Sequence, residues 1–283
     1  MRGIEARTGI AKAYWDIAAE TYERDFTGTL IGQTRRRAVW RRLERIFQPG
    51  QRVLELNCGT GIDAVHLAGR GIRVLACDIS PAMIHRARRL ACVTSAGEGI
   101  DFRVLATEKI SILANDGPFD GAFSNFSGLN CVENLSAVVE DLALLLKPGA
   151  PVLVCMMGCF VPWEIAWFLA HGNWERAMHR LGQRQSRCRV EQDVLTICRP
   201  RVKEIVSLFA PRFRLRHWRG IGIAVPPSYT ELSARRFPGI ITLLAALDAR
   251  IGGLPPFRNM ADQVVLEFEA RSLPEAVNDA SGQ

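Results

Sequence analysis

The stretch Val53-Leu54-Glu55-Leu56-Asn57-Cys58-Gly59-Thr60-Gly61-Ile62-Asp63-Ala64 decides the fold. Residues patterned as a strand carry one acid, Glu55, and run into a tight, glycine-containing loop. Helical periodicity starts at once, with Ala64, Val65, Leu67 and Ala68 as its apolar face. Gly59 and Gly61 can adopt positive φ and let a ligand approach the backbone. Free N–H groups at the helix start attract a carboxylate or phosphate. A second strand, Ile72-Arg73-Val74-Leu75-Ala76-Cys77, ends in Asp78, seventeen residues past Gly61. A carboxylate there is placed to accept hydrogen bonds from ribose hydroxyls. These residues predict a site for a nucleoside-type cofactor.

Gly59-Thr60-Gly61-Ile62-Asp63-Ala64 also satisfies the G-x-G-x-x-G/A pattern of dinucleotide sites, a weak discriminator by itself. Later segments discriminate better. Asp78-Ile79-Ser80-Pro81-Ala82-Met83 comes next, then Phe119-Asp120-Gly121-Ala122-Phe123-Ser124-Asn125. Leu144-Leu145-Leu146-Lys147-Pro148-Gly149 follows, leading into Val152-Leu153-Val154. Together with residues 53–61, and in this order, they resemble the motifs of class I S-adenosylmethionine-dependent methyltransferases of the small-molecule type, over roughly residues 50–157. One departure stands out: Asn57 occupies the place of the first glycine of that family's loop. Asparagine tolerates the left-handed region better than most residues.

The resemblance implies an α/β, doubly wound, Rossmann-like sheet of seven strands, mostly parallel with an antiparallel last strand. It implies S-adenosylmethionine as cofactor and S-adenosylhomocysteine as product. Backbone around Asn57, Cys58, Gly59 and Gly61 would line the methionine part, and Asp78 would bind both ribose hydroxyls. Ile79 and Met83 would flank the adenine, Glu108 would sit by its amine, and Asn125 and Phe126 would face donor and acceptor. Glu55 would orient the loop.

With 283 residues, 48% hydrophobic and 23% charged, the chain reads as globular, with one large domain or two. Its eight cysteines show no metal spacing, which predicts reduced thiols in a cytoplasmic enzyme and no metal site. Arg2, Glu5, Arg7 and Lys12 break up any apolar core near the start, so no secretory signal is expected. The net charge of +7 is carried almost wholly by arginine.

Residues 1–49 read as N-terminal helices covering the cofactor site. Trp15, Ile17, Ala18 and Tyr22 mark one. Residues 34–47 mark a second, with Val39, Trp40, Leu43, Ile46 and Phe47 on its apolar face. Arg35, Arg36, Arg37, Arg41, Arg42 and Arg45 read as a solvated or phosphate-binding face. The core, 50–157, alternates strands near 52–57, 72–77, 101–105, 119–124 and 150–156 with helices near 62–70, 81–93 and 134–146, which implies a parallel sheet. Residues 158–205 are expected to form a mostly helical cap. Residues 206–271 complete the sheet, with a strand at 213–225, a long helix at 228–251 and a last strand at 261–269; 272–283 read as a frayed tail.

The apolar run 152–170 is interrupted by Gly158, Pro162 and Glu164, so a membrane span is not expected, while peripheral membrane contact stays open. Trp163 and Trp167 share a helical face and are expected to face the acceptor pocket or a lipid surface. Arg176, Arg180 or Arg184 would meet an anionic group of the acceptor. Residues 171–219 carry twelve Lys/Arg against Glu175, Glu191, Asp193 and Glu204, a solvated surface or one for an anionic substrate or acidic lipid.

Methyl transfer from a sulfonium is an in-line displacement from an already activated leaving group. The protein therefore mainly aligns the reactants and excludes water. A general base is required only where the nucleophile holds a proton of high pKa. Candidates are His171, His179, His217, Tyr14, Tyr22 and Tyr229, and the sequence singles out none. Ser124-Asn125-Phe126-Ser127 lacks the Asn/Asp-Pro-Pro-Tyr/Phe run of many enzymes that methylate planar nitrogens. The expected acceptor is a small hydrophobic molecule with an oxygen, carbon or aliphatic nitrogen nucleophile, not nucleic acid. Two alternatives remain: an RNA or protein methyltransferase docking through the arginine-rich insertion, and a cofactor-binding regulatory protein without turnover.

Overall fold

Strands buried on both faces need apolar side chains at consecutive positions. Val53 and Leu54, Val74 and Leu75, and Val152, Leu153 and Val154 supply them, pointing alternately into two separate cores. In the computed structural model, which describes residues 2–94, 96–182, 185–190 and 193–272, these residues build a central sheet. Strands β1 (Arg52–Leu56), β2 (Arg73–Asp78), β3 (Ile100–Val104), β4 (Gly121–Ser124) and β5 (Pro151–Met157) pair in parallel. A separate antiparallel hairpin follows, β6 (Gln185–Val190) with β7 (Asp193–Cys198). β8 (Phe213–Ile221) and β9 (Gln263–Ala270) complete a seven-stranded sheet of order β3-β2-β1-β4-β5-β9-β8. β9 is antiparallel to both β5 and β8, so the other six strands run one way.

Ten α-helices surround the sheet among the described residues: α1 (Arg2–Ala18), α2 (Leu30–Ile46), α3 (Ile62–Ala68), α4 (Pro81–Val93), α5 (Leu135–Leu144), α6 (Pro162–Ala170), α7 (Trp174–Gly182), α8 (Val202–Phe209), α9 (Glu231–Arg236) and α10 (Pro238–Ile251). One face of the sheet packs on α2, α3 and α4 through Val39, Leu43, Leu67, Ile84 and Ala87. The other packs on α5 and α8 through Val138, Leu142, Ile205 and Phe209. α4 begins with Ser80, whose side chain accepts from the Met83 N–H, and Pro81 takes the first turn, where its missing N–H leaves no bond unmade. Strand order reverses between β1 and its neighbours β2 and β4, and a ligand crevice opens at such a switch point beyond the strand carboxyl ends.

Three expectations are corrected. The cap at 158–205 holds α6 and α7, but a β-hairpin then replaces further helix. Along β6 burial alternates, with Ser186, Cys188 and Val190 turned inward and Arg187 and Arg189 outward, a period of two that no helix can match. The helix expected over 228–251 is broken into α9 and α10, because Pro238 drives Phe237 out of the helical region to φ −133°, ψ 62°. The strand expected over 213–225 ends at Ile221, where Gly222 turns the chain at φ +75°. Arg184 and the tail beyond Ser272 lie outside the described residues. Among those residues no helix is long and apolar enough to cross a membrane.

Candidate functional site

The loop after β1 holds three left-handed residues, Asn57 (φ 57°), Gly59 (φ 54°) and Gly61 (φ 73°). A Cβ built on Gly59 meets nothing within 4 Å, so this glycine leaves open space beside the backbone. Gly61 has a different reason to be glycine. A Cβ there would lie 2.6 Å from the Ala87 Cβ and 2.9 Å from the Phe102 ring, so its bareness lets the loop settle on α4 and β3. Asn57 Nδ2 donates to Thr107 Oγ1 at 2.8 Å, and its Oδ1 accepts from Ser124 Oγ at 3.1 Å. Its side chain fits because position 128 is glycine: a Cβ there would lie 2.2 Å from the Asn57 Cβ.

Asp78, buried at the end of β2, is fixed by backbone. Its Oδ2 accepts from the Gly59 N–H at 2.8 Å and its Oδ1 from the Ser80 N–H at 2.9 Å. Burial pushes its pKa up to about 6 against the pull of these bonds. The Ile79 N–H is a third backbone donor to this carboxylate, which still leaves it a lone pair for a further donor.

Asn57, Cys58, Gly59, Asp78, Ile79, Met83, Glu108, Asn125 and Phe126 line one cavity, with about 740 Å³ between its walls, which Ala11, Trp15 and Tyr22 of the N-terminal segment close. Eleven residues were expected at the cofactor, and two of them, Glu55 and Gly61, are not in this lining. Glu55 lies beneath it, 1% exposed, with Oε2 unpaired. Burial, reinforced by the neighbouring Asp63 charge, holds its pKa well above the carboxylate range. An open-sided glycine, a buried carboxylate with a lone pair to spare, and the apolar Ile79 and Met83 fit a nucleoside bearing ribose hydroxyls.

Sequence reasoning missed Asp63 and Arg36, which also line this cavity. Asp63 accepts from Arg36 Nη1 (2.6 Å), Trp40 Nε1 (2.6 Å) and Asn125 Nδ2 (2.9 Å). The Arg36 guanidinium lies 4.6 Å from the Phe126 ring centre. The signal was present: Arg35 and Arg36 stand four and three positions before Val39, on the helix stripe that Val39 and Leu43 bury.

A second cavity opens beside the first and shares Trp15, Tyr22, Phe126 and Cys131 with it. Its walls are mainly apolar or aromatic, including Tyr14, Phe26, Met157, Ile197 and Tyr229. Its polar side is an ion network. Asp262 accepts from Arg35 Nη1 at 2.5 Å and from Arg180 Nη2 at 2.8 Å, and Arg180 also pairs with Glu164 at 2.8 Å. Burial raises the Asp262 pKa, but the two guanidiniums outweigh it and hold this carboxyl below its usual range. Two positive and two negative charges leave the network neutral. At the wall between the cavities, the Tyr22 hydroxyl accepts from Arg36, and burial pushes its phenol pKa up.

Of the other candidate bases, Tyr14 and Tyr229 line the second cavity, whereas His171, His179 and His217 line neither. His171 is exposed and stacks on Trp167, His179 meets Ser186, and His217 lies on the edge strand β8. Trp163, Trp167 and Arg176 are absent from the second cavity as well. Trp163 is 40% exposed, Trp167 packs behind Tyr229 at 5.6 Å, and Arg176 lies over Phe168. The inward residue of α6 is Glu164, because its carboxylate follows Arg180 into the ion network. Arg180 itself, expected to meet an anion, is occupied by Glu164 and Asp262.

Residues 53–149 match the family described as a methyltransferase domain. A demethylmenaquinone methyltransferase of Mycolicibacterium vanbaalenii is 31% identical over 144 residues, 50% of this chain and 57% of that protein. The tRNA 5-carboxymethoxyuridine methyltransferase of Escherichia coli K12 is 30% identical over 139 residues, 48% of this chain and 52% of that protein. The chain thus spans little more than half the length of these relatives. The crystal structure of an S-adenosylmethionine-dependent methyltransferase from Mesorhizobium loti aligns with a TM-score of 0.55 at 19% identity, covering 85% of this chain and 99% of that one, a likeness in fold.

Proposed function

We propose, on the premise that residues 53–149 form a class I S-adenosylmethionine-dependent methyltransferase domain, that this chain methylates a small, uncharged, mainly hydrophobic acceptor. The observation that carries this reading is the second cavity: its walls are mainly apolar or aromatic, its charged side chains are held in ion pairs (Arg35 and Arg180 with Asp262 and Glu164, Asp25 with Arg24), and it is joined to the first through Trp15, Tyr22 and Phe126. A neutral ion network attracts neither an anionic nor a cationic acceptor, and the aromatic walls favour an apolar one. The demethylmenaquinone relative is consistent with such an acceptor; the tRNA relative keeps a different class in the test.

S-adenosylmethionine, when bound, supplies a methyl group on a sulfonium that needs no further activation. The residues of the chain hold and orient. Asp78 would accept from the ribose hydroxyls, Gly59 would give the backbone room, Ile79 and Met83 would sandwich the base, and Glu108 would take the exocyclic amine. Asp63 fixes Asn125 and Arg36, and Arg36 fixes the Tyr22 hydroxyl, so the wall between donor and acceptor is held by hydrogen bonds from three elements. Tyr22, with its phenol pushed up, stays protonated near neutrality and serves as a positioning donor to the acceptor, not as a base. Asp262, held low by its arginines, is a poor base too. Alignment and exclusion of water are left as the main contributions.

Transfer of labelled methyl groups to a panel of quinols, phenols and enolisable ketones, set against tRNA and total protein, tests the reading. Labelling of a hydrophobic small molecule is expected. Labelling of tRNA alone replaces the acceptor class, and tight S-adenosylhomocysteine binding without transfer to any acceptor would leave a cofactor-binding protein.

A further inference from the structure

Helices α9 and α10 and the turn after them expose apolar side chains that nothing among the described residues covers. Leu232 is 89% exposed, Phe237 55%, Ile240 54%, Leu243 68%, Leu247 42% and Leu254 54%. Spacings of three and four place Ile240, Leu243 and Leu247 on one stripe of α10, with Phe237 before the helix, Leu254 after it and Leu232 on α9. The opposite stripe of α10, with Ile241, Leu244 and Ala245, packs on the start of α2, so the exposed one is not a displaced core face.

The charges around this stripe that lack a side-chain partner among the described residues have one sign. Segment 231–258 contains the arginines Arg235, Arg236, Arg250 and Arg258 and two acids, Glu231 and Asp248. Both acids are engaged. Glu231 accepts from the Leu30 and Ile31 N–H groups and from Arg235, and buried Asp248 accepts from the Gly222, Ile223 and Ala224 N–H groups. Arg236 and Arg250 are exposed and have no side-chain partner among the described residues. A surface that combines apolar side chains with unpaired cations, and offers no free acid, matches the acyl boundary and phosphates of an anionic bilayer. A second copy fits worse, since a twofold contact would bring these arginines against their own kind.

We propose that the α9–α10 face docks on an anionic lipid bilayer. The leucine and phenylalanine side chains enter the acyl boundary, and Arg236 and Arg250 meet the headgroup phosphates. α10 has 14 residues and lies in the interface plane without crossing. The docking face begins beside the second cavity: Tyr229 lines that cavity, and Leu232 stands three residues further on. An apolar acceptor could then reach the cavity from the lipid without crossing water. Only this purpose rests on the apolar-acceptor reading; the docking itself does not.

Co-sedimentation of the full chain with vesicles of phosphatidylglycerol and phosphatidylcholine in equal parts, against phosphatidylcholine alone, tests it. The chain is expected to prefer the anionic vesicles about tenfold, and L243E/L247E and R236E/R250E are each expected to lose about tenfold, two charge or apolar contacts being removed. All four positions are exposed, and unchanged S-adenosylhomocysteine affinity in each variant certifies the fold. The proposal is overturned if the chain ignores anionic vesicles, if neither variant weakens binding, or if sedimentation velocity reveals a dimer that L243E/L247E dissolves. Vesicle binding without methylation of any apolar acceptor would leave the docking standing and remove the acceptor reading.

Discussion

The two cavities are built in opposite ways. The first cavity, the proposed cofactor side, takes nine of its twenty lining residues from two short stretches, 57–63 and 78–83, and its acid is fixed by backbone: Gly59 and Ser80 N–H groups hold Asp78, and left-handed turns shape the loop. The second cavity, the proposed acceptor side, is assembled from side chains scattered from Tyr14 to Gln263, joined by ion pairs such as Arg35 with Asp262 and Arg180 with Glu164. A site made from backbone needs only a local sequence pattern, whereas one made from distant side chains can change its occupant by single substitutions while the fold persists. The difference is one way in which a single fold can carry different sites.

The comparison is broken most severely at Asp262. Asp262→Ala leaves the guanidinium of Arg35 buried without a counter-charge and Arg180 with Glu164 alone, and is expected to cost about 3–5 kcal/mol in urea unfolding. A loss below about 1 kcal/mol would mean that the acceptor wall does not depend on the network. On the cofactor side the largest stability effect is expected from Gly61→Ala, which forces a Cβ into Ala87 and Phe102 at a positive φ; about 2–3 kcal/mol should disappear from the unfolding free energy.

Asp78→Ala should weaken S-adenosylhomocysteine by about 1.5–3 kcal/mol in calorimetry, the scale of a lost charged acceptor; an unchanged dissociation constant removes Asp78 from the site. Titration separates this residue's two roles. With its folded pKa raised to about 6, Asp78 adds stability to the free protein in acid, and that contribution fades as pH rises through 6. Ribose binding needs the ionised form, so affinity runs the other way and should fall about tenfold from pH 7 to pH 5. Asp78→Asn should bind weakly and show no such slope. The smallest effect is expected at Trp163→Ala, within about 0.5 kcal/mol in stability and with methyl transfer retained, because this side chain faces outward. Loss of transfer there would return the tryptophan face to the acceptor pocket.

What could be read in advance divides by distance along the chain, within the first cavity as well as between the two. The strand–loop–helix start of 53–64 and the acid ending β2 were legible because each signal lies within a dozen residues. Arg36 and Asp63 were not, although Arg36 sits on the buried stripe of its helix. An arginine inside is tolerable only with a partner, and its partner lies 27 positions away in sequence. Trp163 and Trp167 misled for a related reason: aromatic side chains mark burial in general, but the short helix α6 turns toward the cavity by the pull of one ion pair, Glu164 with Arg180. The break at Pro238 could have been read locally, since a residue before proline resists the helix.

Between positions 57 and 128 there is room for one side chain, and Asn57 holds it. The two sites are therefore epistatic, and substitution there has a direction. A lineage carrying Asn57 and Gly128 can reach glycine at 57 with alanine at 128 only by losing the asparagine first, since the opposite order passes through overlapping β-carbons. Relatives with a glycine at the loop's first position should tolerate side chains at the equivalent of 128, and those with asparagine should not. Covariation at this pair would be a record of the order in which the loop was remodelled.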